Sequence, residues 1–300
     1  MNAEKPTLCG VYPPITTPFA SDGTLALDRL RENINKYNQT KLAGYVVVGS
    51  TGESVYLREE EKLRIWETVR NAADSTKLLI AGTGQEATAE TIALTRCAAD
   101  LGYRVALVRT PSYFKPQMDE RALERHFRAV ADASPIPILI YSVPQFTGLA
   151  VETPLVARLA EHPNISGIKE SSGNIERITQ MIAATPEMFS VLVGSASTLY
   201  PSLNLGARGG ILAAACAWPE MFTNLYEAVC QGDHDRARAL QQKVLPAVKL
   251  VTSTYGITGL KYALDLRGYY GGPTRPPLLP PDAKAQQELA GIVHALEAPS

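Results

Sequence analysis

Two short apolar runs, PILIYSVP (137–144) and ISGIKES (165–171), decide the predicted fold. Each is apolar at nearly every position and rich in β-branched residues, as expected for a parallel strand that is covered on both faces. Longer segments with apolar residues at i, i+3 and i+4 alternate with such runs. LREEEKLRIWETVRNAA (57–73) is one example, and its spacing predicts an amphipathic helix.

Six further runs extend the same strand–helix alternation along the chain. They are GVYPPITTPF (10–19), GYVVVGS (44–50), KLLIAGTG (77–84), YRVALVRT (103–110), SVLVGSA (190–196) and GGILAAAC (209–216). Eight such repeats predict an α/β fold, a (β/α)8 TIM barrel with a C-terminal helical extension. An open doubly wound sheet is the alternative, but the expected GxGxxG is absent after the first strand.

The predicted domain organisation follows from where the repeats end. Residues 1–226 are expected to form the catalytic barrel domain. Residues 227–300 are expected to form an extension of three helices packed on the barrel, with the Gly/Pro-rich stretch GYYGGPTRPPLLPP (268–281) before the last helix.

Composition excludes several classes of function. The chain has 300 residues, 45% of them hydrophobic and 20% charged, and its formal net charge is −1. This balance does not favour nucleic acid or an anionic membrane as a partner. No apolar run reaches the roughly 18 residues of a membrane helix, and the first residues carry no signal core. The cysteines at positions 9, 97, 216 and 230 are scattered, so we expect reduced thiols in a cytoplasmic protein.

Lys169 follows the apolar residues of the sixth predicted strand at once. In (β/α)8 barrels the carboxyl ends of the strands carry the catalytic groups. Lysine is seldom buried without a partner, and desolvation favours the neutral amine, which can attack a carbonyl group to form a Schiff base. We therefore select Lys169 as the candidate nucleophile. The alternative is a strand-end lysine that extends to solvent.

Residues with hydroxyl groups follow other predicted strands. Tyr141 ends the fifth strand and could pass protons to and from a substrate oxygen, or it could be a packed aromatic residue. The GSTGES loop after the second strand offers backbone N–H groups and the hydroxyls of Ser50 and Thr51, which suit a small carboxylate. A plain turn with a helix cap fits the same pattern. Tyr113 lies on the loop after the fourth strand, and we expect Glu53 to support the GSTGES loop.

The histidines do not favour a metal site. They stand at positions 126, 162, 234 and 294, none at the carboxyl end of a predicted strand, and no pair has the spacing of metal ligands. We therefore expect neither a metal ion nor a cofactor, and zinc-dependent chemistry is not favoured. No Ser-His-Asp arrangement is visible either.

Four motifs in combination carry a family resemblance: GSTGE, TPSYFKP, YSVP followed by TG, and GIKES. Together they resemble the dihydrodipicolinate synthase / N-acetylneuraminate lyase family of class I aldolases, over essentially the whole chain. The resemblance implies a (β/α)8 barrel with a helical extension and a homotetramer built as two tight dimers. It also implies a pyruvate-dependent lyase whose partners are pyruvate, or another 2-oxo acid, and an aldehyde.

The resemblance implies catalytic roles for four residues. Lys169 would form the Schiff base with the 2-oxo acid. Tyr141 would carry protons for carbinolamine breakdown and for making or breaking the carbon–carbon bond. Ser50 would link Tyr141 to Tyr113 in a hydroxyl relay, and Tyr113 would reach the site of the neighbouring subunit. A protonated imine is an electron sink, so the adjacent carbon becomes acidic and an aldol bond can open or close.

Five further residues are expected to bind substrate. By the same resemblance, Thr51 and its backbone N–H would hold the pyruvate carboxylate, and Gly194 and Ile211 would line the pocket. Ser171, in the GIKES motif, and Phe146, in the YSVPQFTG run, complete the predicted substrate-binding set.

Phe146 departs from the family pattern of dihydrodipicolinate synthases, which usually carry at this position an arginine that grips the carboxylate of aspartate semialdehyde. A phenyl ring cannot replace a fork-shaped carboxylate partner. The runs YSVPQFTGL and GITGLKYALDLRGYYGGPTRPPL also resemble the 4-hydroxy-2-oxoglutarate aldolases. We therefore expect a class I aldolase that reversibly cleaves 4-hydroxy-2-oxoglutarate to pyruvate and glyoxylate. A 2-keto-3-deoxy sugar-acid aldolase and a dihydrodipicolinate synthase are the alternatives.

Two classes of protein outside the aldolases are further alternatives. A non-catalytic barrel that binds a 2-oxo acid would not need the full set of Lys169, Tyr141, Ser50 and Tyr113. A phosphate-binding barrel would need a phosphate nest after the seventh and eighth strands, where GSAST and AAACAWPE offer little basic character. Neither class is favoured.

Overall fold

The computed structural model describes residues 8–297 and contains a sheet of eight strands. The strands are β1 Gly10–Tyr12, β2 Gly44–Val47, β3 Leu78–Gly82, β4 Val105–Arg109, β5 Ile138–Ser142, β6 Ile165–Glu170, β7 Ser190–Val193 and β8 Gly209–Ile211. Their order in the sheet is β1-β8-β7-β6-β5-β4-β3-β2, and the pairs from β3 to β8 are parallel.

Within residues 8–297 the chain forms twelve α-helices. They are α1 Leu27–Asn38, α2 Glu59–Ala72, α3 Thr88–Asp100, α4 Glu120–Ala133, α5 Pro144–Thr147, α6 Thr153–Ala160, α7 Ile175–Ala184, α8 Leu199–Asn204, α9 Pro219–Cys230, α10 His234–Val248, α11 Gly256–Leu266 and α12 Ala283–Glu297. None of the helices in the described part of the chain combines the length and the apolarity of a membrane span.

Hydrogen bonds between the segment after β1 and strand β2 join the two ends of the strand order. The Val46 N–H donates to the Pro13 carbonyl at 3.0 Å, and the Ile15 N–H donates to the Val46 carbonyl at 3.0 Å. A parallel bridge pairs Pro14 with Val46. The eight strands with their following helices are therefore a (β/α)8 barrel, which confirms the predicted fold class.

The chain divides into two compact units. The first unit contains residues 8–10 and Leu78–Ile211, and so holds the strands from β3 to β8 and the helices from α3 to α8. The second unit contains Val11–Lys77 and residues 212–297, and so holds most of β1, strand β2 and the C-terminal helices. The proposed boundary between residues 226 and 227 stays a prediction.

The C-terminal helices form where the apolar spacing predicts them. α10, α11 and α12 cover the three predicted segments, and a π-helical turn, Lys249–Thr254, lies between α10 and α11. The eighth strand in the structure is shorter than the predicted run GGILAAAC (209–216). Only Gly209–Ile211 is extended, and Ala213–Cys216 forms a 3-10 helix. Alanine has low strand propensity, so its three consecutive copies do not continue the ladder.

We predict opposite effects for two glycine-to-alanine substitutions. A Cβ at Gly167, within β6, would lie 2.2 Å from the Ser190 carbonyl oxygen, so Gly167→Ala must displace backbone. We expect it to lower the free energy of unfolding by about 1–3 kcal/mol. Gly291 lies in α12 with nothing within 4 Å of an added Cβ, so Gly291→Ala should raise the same quantity by about 0.5–1 kcal/mol.

Urea unfolding followed by circular dichroism measures both variants against the unmodified chain. Equal midpoints for the two variants would contradict the close approach of β6 and β7 at Gly167.

Candidate active site

Lys169 lies in β6 with its side chain on the inner face of the strand. Side chains alternate along a strand, so Gly167 and Lys169 share one face, and Ile168 and Glu170 share the other. The Glu170 carboxylate contacts Arg177 of α7, so the face that carries Glu170 is the one covered by helices. Lys169 therefore points to the opposite face, where it is only 5% exposed.

The register of β5 and β6 brings Tyr141 beside Lys169. The two residues are partners in the parallel ladder, and the Lys169 Nζ lies 4.2 Å from the centroid of the Tyr141 ring. An ammonium over the face of an aromatic ring is attracted to it by the quadrupole of the ring. The structure thus brings together the two residues that the sequence selects for imine and proton chemistry.

Lys169 lacks the anionic partner that a buried lysine usually has. Among residues 8–297, no carboxylate lies within ion-pair distance of its ammonium, and it makes no hydrogen bond with another residue. Lys261, which is also buried, has its ammonium within hydrogen-bonding distance of three oxygen atoms. Of these two lysines, only Lys169 has a nitrogen that is available to a substrate.

The turn after β6 holds Ser171 directly against Gly194. The Ser171 N–H donates to the Ser142 carbonyl at 3.0 Å, and the Gly194 N–H donates to the Glu170 carbonyl at 2.7 Å. A Cβ at Gly194 would lie 1.8 Å from the Ser171 Oγ, so only glycine fits. The Ser171 hydroxyl is buried without a hydrogen-bond partner, which leaves it free to bind a substrate oxygen.

Glu170 braces this turn from the opposite face of β6. One carboxylate oxygen accepts the Ser172 N–H at 2.5 Å, and the other lies 3.2 Å from the Arg177 Nε. The second contact is short enough for an ion pair, but its angle is not that of a hydrogen bond. Burial raises the pKa of the Glu170 carboxyl above its usual value, although the Ser172 N–H and the Arg177 charge act in the opposite direction.

Glu86, which follows β3, anchors the loop that carries Tyr113. Its Oε2 accepts the N–H groups of Ser112 at 2.7 Å and Tyr113 at 2.9 Å, and its Oε1 lies 3.2 Å from the Arg109 Nη2. Burial alone would raise the pKa of Glu86, but the two N–H groups and the Arg109 guanidinium together lower it. The Tyr113 side chain extends outward from this anchored backbone and is 80% exposed.

The other predicted substrate-binding residues of the first unit lie on two elements. Phe146, in the short helix α5, is 66% exposed, so its ring does not serve as a core residue. Ile211 ends β8 and is fully buried.

Ser50 and Thr51 lie in the second unit, where they form a 3-10 turn, Ser50–Gly52, after β2. The Glu53 N–H donates to the Ser50 carbonyl at 3.0 Å, and the Thr17 hydroxyl donates to the Gly52 carbonyl at 2.6 Å. Thr51 is buried and Ser50 is half-buried. Their roles in the relay and in carboxylate binding stay predictions.

Three further residues contact the predicted site residues or their loops, and no motif or spacing in the sequence selected them. Glu86 and Glu170 are single carboxylates that each accept backbone N–H groups of a loop and contact an arginine side chain, and no sequence pattern marks such contacts. Lys261 does leave a signal, because GITGLKYALDL is an apolar helix and Lys261 falls among its buried residues. Metal-ligand clusters are not found within residues 8–297: no group of three His, Cys, Asp or Glu side chains could hold an ion there.

A (β/α)8 barrel with a lysine and a tyrosine paired at the carboxyl ends of adjacent inner strands has the architecture of a Schiff-base lyase. The model of the dihydrodipicolinate synthetase family matches residues 7–296, so the chain belongs to that family. Its members are pyruvate-dependent class I lyases, and this protein is one of them.

Individual relatives agree with this assignment. The 4-hydroxy-tetrahydrodipicolinate synthase of Methanothrix thermoacetophila is 38% identical over 285 residues, which covers 95% of each chain. Other curated relatives, including one from Neisseria gonorrhoeae at 36% identity over 94% of this chain and 96% of its own, have the same name. The solved dihydrodipicolinate synthase of Acinetobacter baumannii, complexed with pyruvate, superposes with a TM-score of 0.93, at 30% identity, over 97% of this chain and 99% of that one.

We predict that Glu86→Gln loosens the Tyr113 loop. An uncharged amide accepts the N–H groups of Ser112 and Tyr113 more weakly than a carboxylate. Their amide hydrogens should therefore exchange about 10-fold faster, as measured by hydrogen–deuterium exchange mass spectrometry. The exposed Glu90, on the following helix, provides the matched control, Glu90→Gln.

The lowered pKa of Glu86 also fixes the sign of the pH dependence. The anchoring is present above the unfolded-state pKa and is lost as the pH falls through the lower, folded-state pKa. In the unmodified chain, the protection of the Ser112 and Tyr113 amides, expressed relative to their intrinsic exchange rates at each pH, should therefore fall as the pH drops through the lowered pKa of Glu86, below the ordinary glutamate value of about 4.3. Equal exchange in Glu86→Gln and Glu90→Gln would show that the carboxylate does not hold the loop.

Proposed function

We propose that this protein synthesises 4-hydroxy-tetrahydrodipicolinate from pyruvate and aspartate semialdehyde by Schiff-base chemistry at Lys169. The observation that carries the chemical part is the buried Lys169 amine, 4.2 Å from the Tyr141 ring and without an ion-pair partner in the described chain. The names of the curated relatives, which span about 95% of the chain, support the choice of substrates. This choice replaces the 4-hydroxy-2-oxoglutarate cleavage that the sequence alone favours.

The reaction begins with attack of the neutral Lys169 amine on C2 of pyruvate, which gives a carbinolamine. Loss of water, with a proton delivered to the departing hydroxyl, gives a protonated imine. The imine withdraws electrons from C3, so a C3 proton leaves and an enamine forms. The enamine carbon then attacks the aldehyde carbon, and the aldehyde oxygen takes up a proton. The amino group that came from aspartate semialdehyde then attacks the imine carbon, which closes the ring as a cyclic imine and expels the free Lys169 amine.

Tyr141 is the candidate for the proton transfers in this sequence. Its hydroxyl belongs to the strand residue that pairs with Lys169, so it is held at one end of the same ladder. A phenol can donate a proton to the carbinolamine hydroxyl and recover one later, as in general acid–base catalysis. Ser171, with its unpartnered hydroxyl, is the candidate for binding a substrate oxygen, and Gly194 leaves the room that this requires.

Cleavage of 4-hydroxy-2-oxoglutarate is the second candidate function, and Phe146 is the observation that favours it. The exposed phenyl ring offers no charge to the carboxylate of aspartate semialdehyde. The relatives reported above support the synthase instead.

We further propose a homotetramer of two tight dimers in the cytoplasm. The 80% exposure of Tyr113 supports a role for a neighbouring subunit, since a tyrosine on an anchored loop is then available to a partner chain. The proposed small-molecule partners are pyruvate and the aldehyde, and we propose no metal or cofactor.

Reductive trapping tests the proposed nucleophile. With pyruvate and borohydride, we predict an N-(1-carboxyethyl)lysine at position 169, identified by peptide mass spectrometry. Lys169→Arg should abolish both the adduct and turnover, because a guanidinium stays protonated and cannot form the imine. Lys284→Arg, at an exposed lysine of α12, is the matched control and should keep both. A reduced adduct on any other lysine would overturn the assignment of Lys169.

Parallel assays of the two reactions test the proposed substrates. We predict a higher kcat/KM for condensation with aspartate semialdehyde than for cleavage of 4-hydroxy-2-oxoglutarate. Phe146→Arg should raise the first value about 10–100-fold, because a guanidinium can form charge-assisted hydrogen bonds with the carboxylate. Phe146→Lys adds the same charge without the fork and should give a smaller increase. Faster cleavage than condensation in the unmodified protein would instead select the second candidate.

A further inference from the structure

The loop that carries Ser50 and Thr51 has an unusual backbone on both sides. Val48 and Glu53 are the two non-glycine residues with positive φ among residues 8–297, at 62° and 56°. A β-branched residue rarely adopts such a φ, and Val48 is also buried. Strained backbone of this kind persists only where the surroundings hold it in place. The loop must therefore be fixed by contacts outside itself.

The Lys261 ammonium, from α11, makes three hydrogen bonds at this loop. It donates to the Glu53 Oε1 at 2.8 Å, to the Thr17 carbonyl at 2.8 Å and to the Pro273 carbonyl at 2.7 Å. An ammonium has three donors, so all of them are used. It also lies 4.6 Å from the centroid of the Phe19 ring.

The other bonds of Thr17 and Glu53 make the network continuous. The Glu53 Oε2 accepts the Arg275 N–H at 2.9 Å, and the Thr17 hydroxyl donates to the Gly52 carbonyl at 2.6 Å. Lys261 thus contacts the loop by two routes, through the Glu53 carboxylate and through Thr17. Every member of this network belongs to the second unit.

Lys261 and Glu53 form a buried ion pair in which each charge compensates the other. The side chains of Lys261 and Glu53 are each 1% exposed. Burial lowers the pKa of Lys261, while the Glu53 charge and hydrogen bond act in the opposite direction. Removing one partner leaves the other as an uncompensated buried charge, which is strongly unfavourable. Within the described residues, this buried pair lies at the loop that is flanked by the two non-glycine residues of positive φ.

We propose that Lys261 is a positioning residue that holds the Ser50–Gly52 turn in the conformation that binds the carboxylate of the 2-oxo acid. This inference rests on the proposed function and on the predicted role of Thr51 and its backbone N–H in binding the pyruvate carboxylate. Lys261 acts through Glu53 and Thr17, and its own nitrogen has no donor left for a substrate.

Lys261→Met tests the proposal, because methionine keeps an unbranched apolar stem and removes the charge. The readout is the yield of the borohydride-reduced pyruvate adduct at Lys169 as a function of pyruvate concentration. We expect the half-saturating concentration to rise about 10-fold, the effect of losing one charge-assisted hydrogen bond, with an unchanged maximum yield. Lys284→Met, at an exposed lysine, is the matched control and should behave as the unmodified protein does.

A second variant keeps the test decisive if Lys261→Met does not fold, as circular dichroism would reveal. Thr17→Val conserves shape and leaves the Lys261–Glu53 pair intact, but removes the hydroxyl that donates to the Gly52 carbonyl. We expect it to raise the half-saturating pyruvate concentration about 3–10-fold.

The outcomes separate this inference from the proposed function. No adduct on Lys169 in the unmodified protein would overturn the proposed function and this inference with it. An adduct in the unmodified protein, with an unchanged half-saturating concentration in the folded Lys261→Met variant, would overturn this inference alone. A lower maximum yield without a change in half-saturation would also contradict it, because a positioning residue for the carboxylate should affect binding first.

Discussion

The burial of an amine without an anionic partner, at Lys169, is the constraint on which the site depends. A lysine in the interior normally has a carboxylate or carbonyl groups around it, and Lys261 in the same chain shows this arrangement with three oxygen acceptors. Lys169 has the ring of Tyr141 instead. Such a position is unfavourable for a structural lysine, but it suits an amine that attacks the carbonyl carbon of a substrate.

The parallel register of the strands places other candidate residues beside Lys169. Because β5 and β6 pair Tyr141 with Lys169, and because β6 hydrogen-bonds to the turn after β7, the groups at these strand ends have fixed positions. Gly194 admits Ser171 where any side chain would collide with it. Support comes from the opposite face of β6, where Glu170 holds the following turn through the Ser172 N–H. The candidate nucleophile, Lys169, and the bracing residue, Glu170, thus point to opposite faces of the same strand.

The sequence was sufficient for the barrel, because eight apolar runs alternate with helical spacing and each falls on an observed strand. It also selected Lys169, whose charge interrupts an apolar run at a strand end. It could not reveal Glu86, because the two backbone N–H groups and the Arg109 guanidinium that this carboxylate contacts are brought near it only by the fold. The strain at Val48 was equally hidden, since nothing in the letters GYVVVGS distinguishes this valine from its neighbours. The substrates were the hardest feature to predict from the sequence. Phe146 favoured cleavage of 4-hydroxy-2-oxoglutarate, whereas the names of the curated relatives support the synthase reaction.

A Lys169 imine makes C3 of bound pyruvate acidic, and exchange of the methyl protons with solvent measures this acidity directly. With pyruvate in D2O and no aldehyde, we predict enzyme-dependent loss of the methyl proton signal by NMR, and we predict that Lys169→Arg removes the exchange. A folded, unmodified protein that forms the adduct but leaves the methyl protons unexchanged would contradict the proposed mechanism, because the imine would then not act as an electron sink.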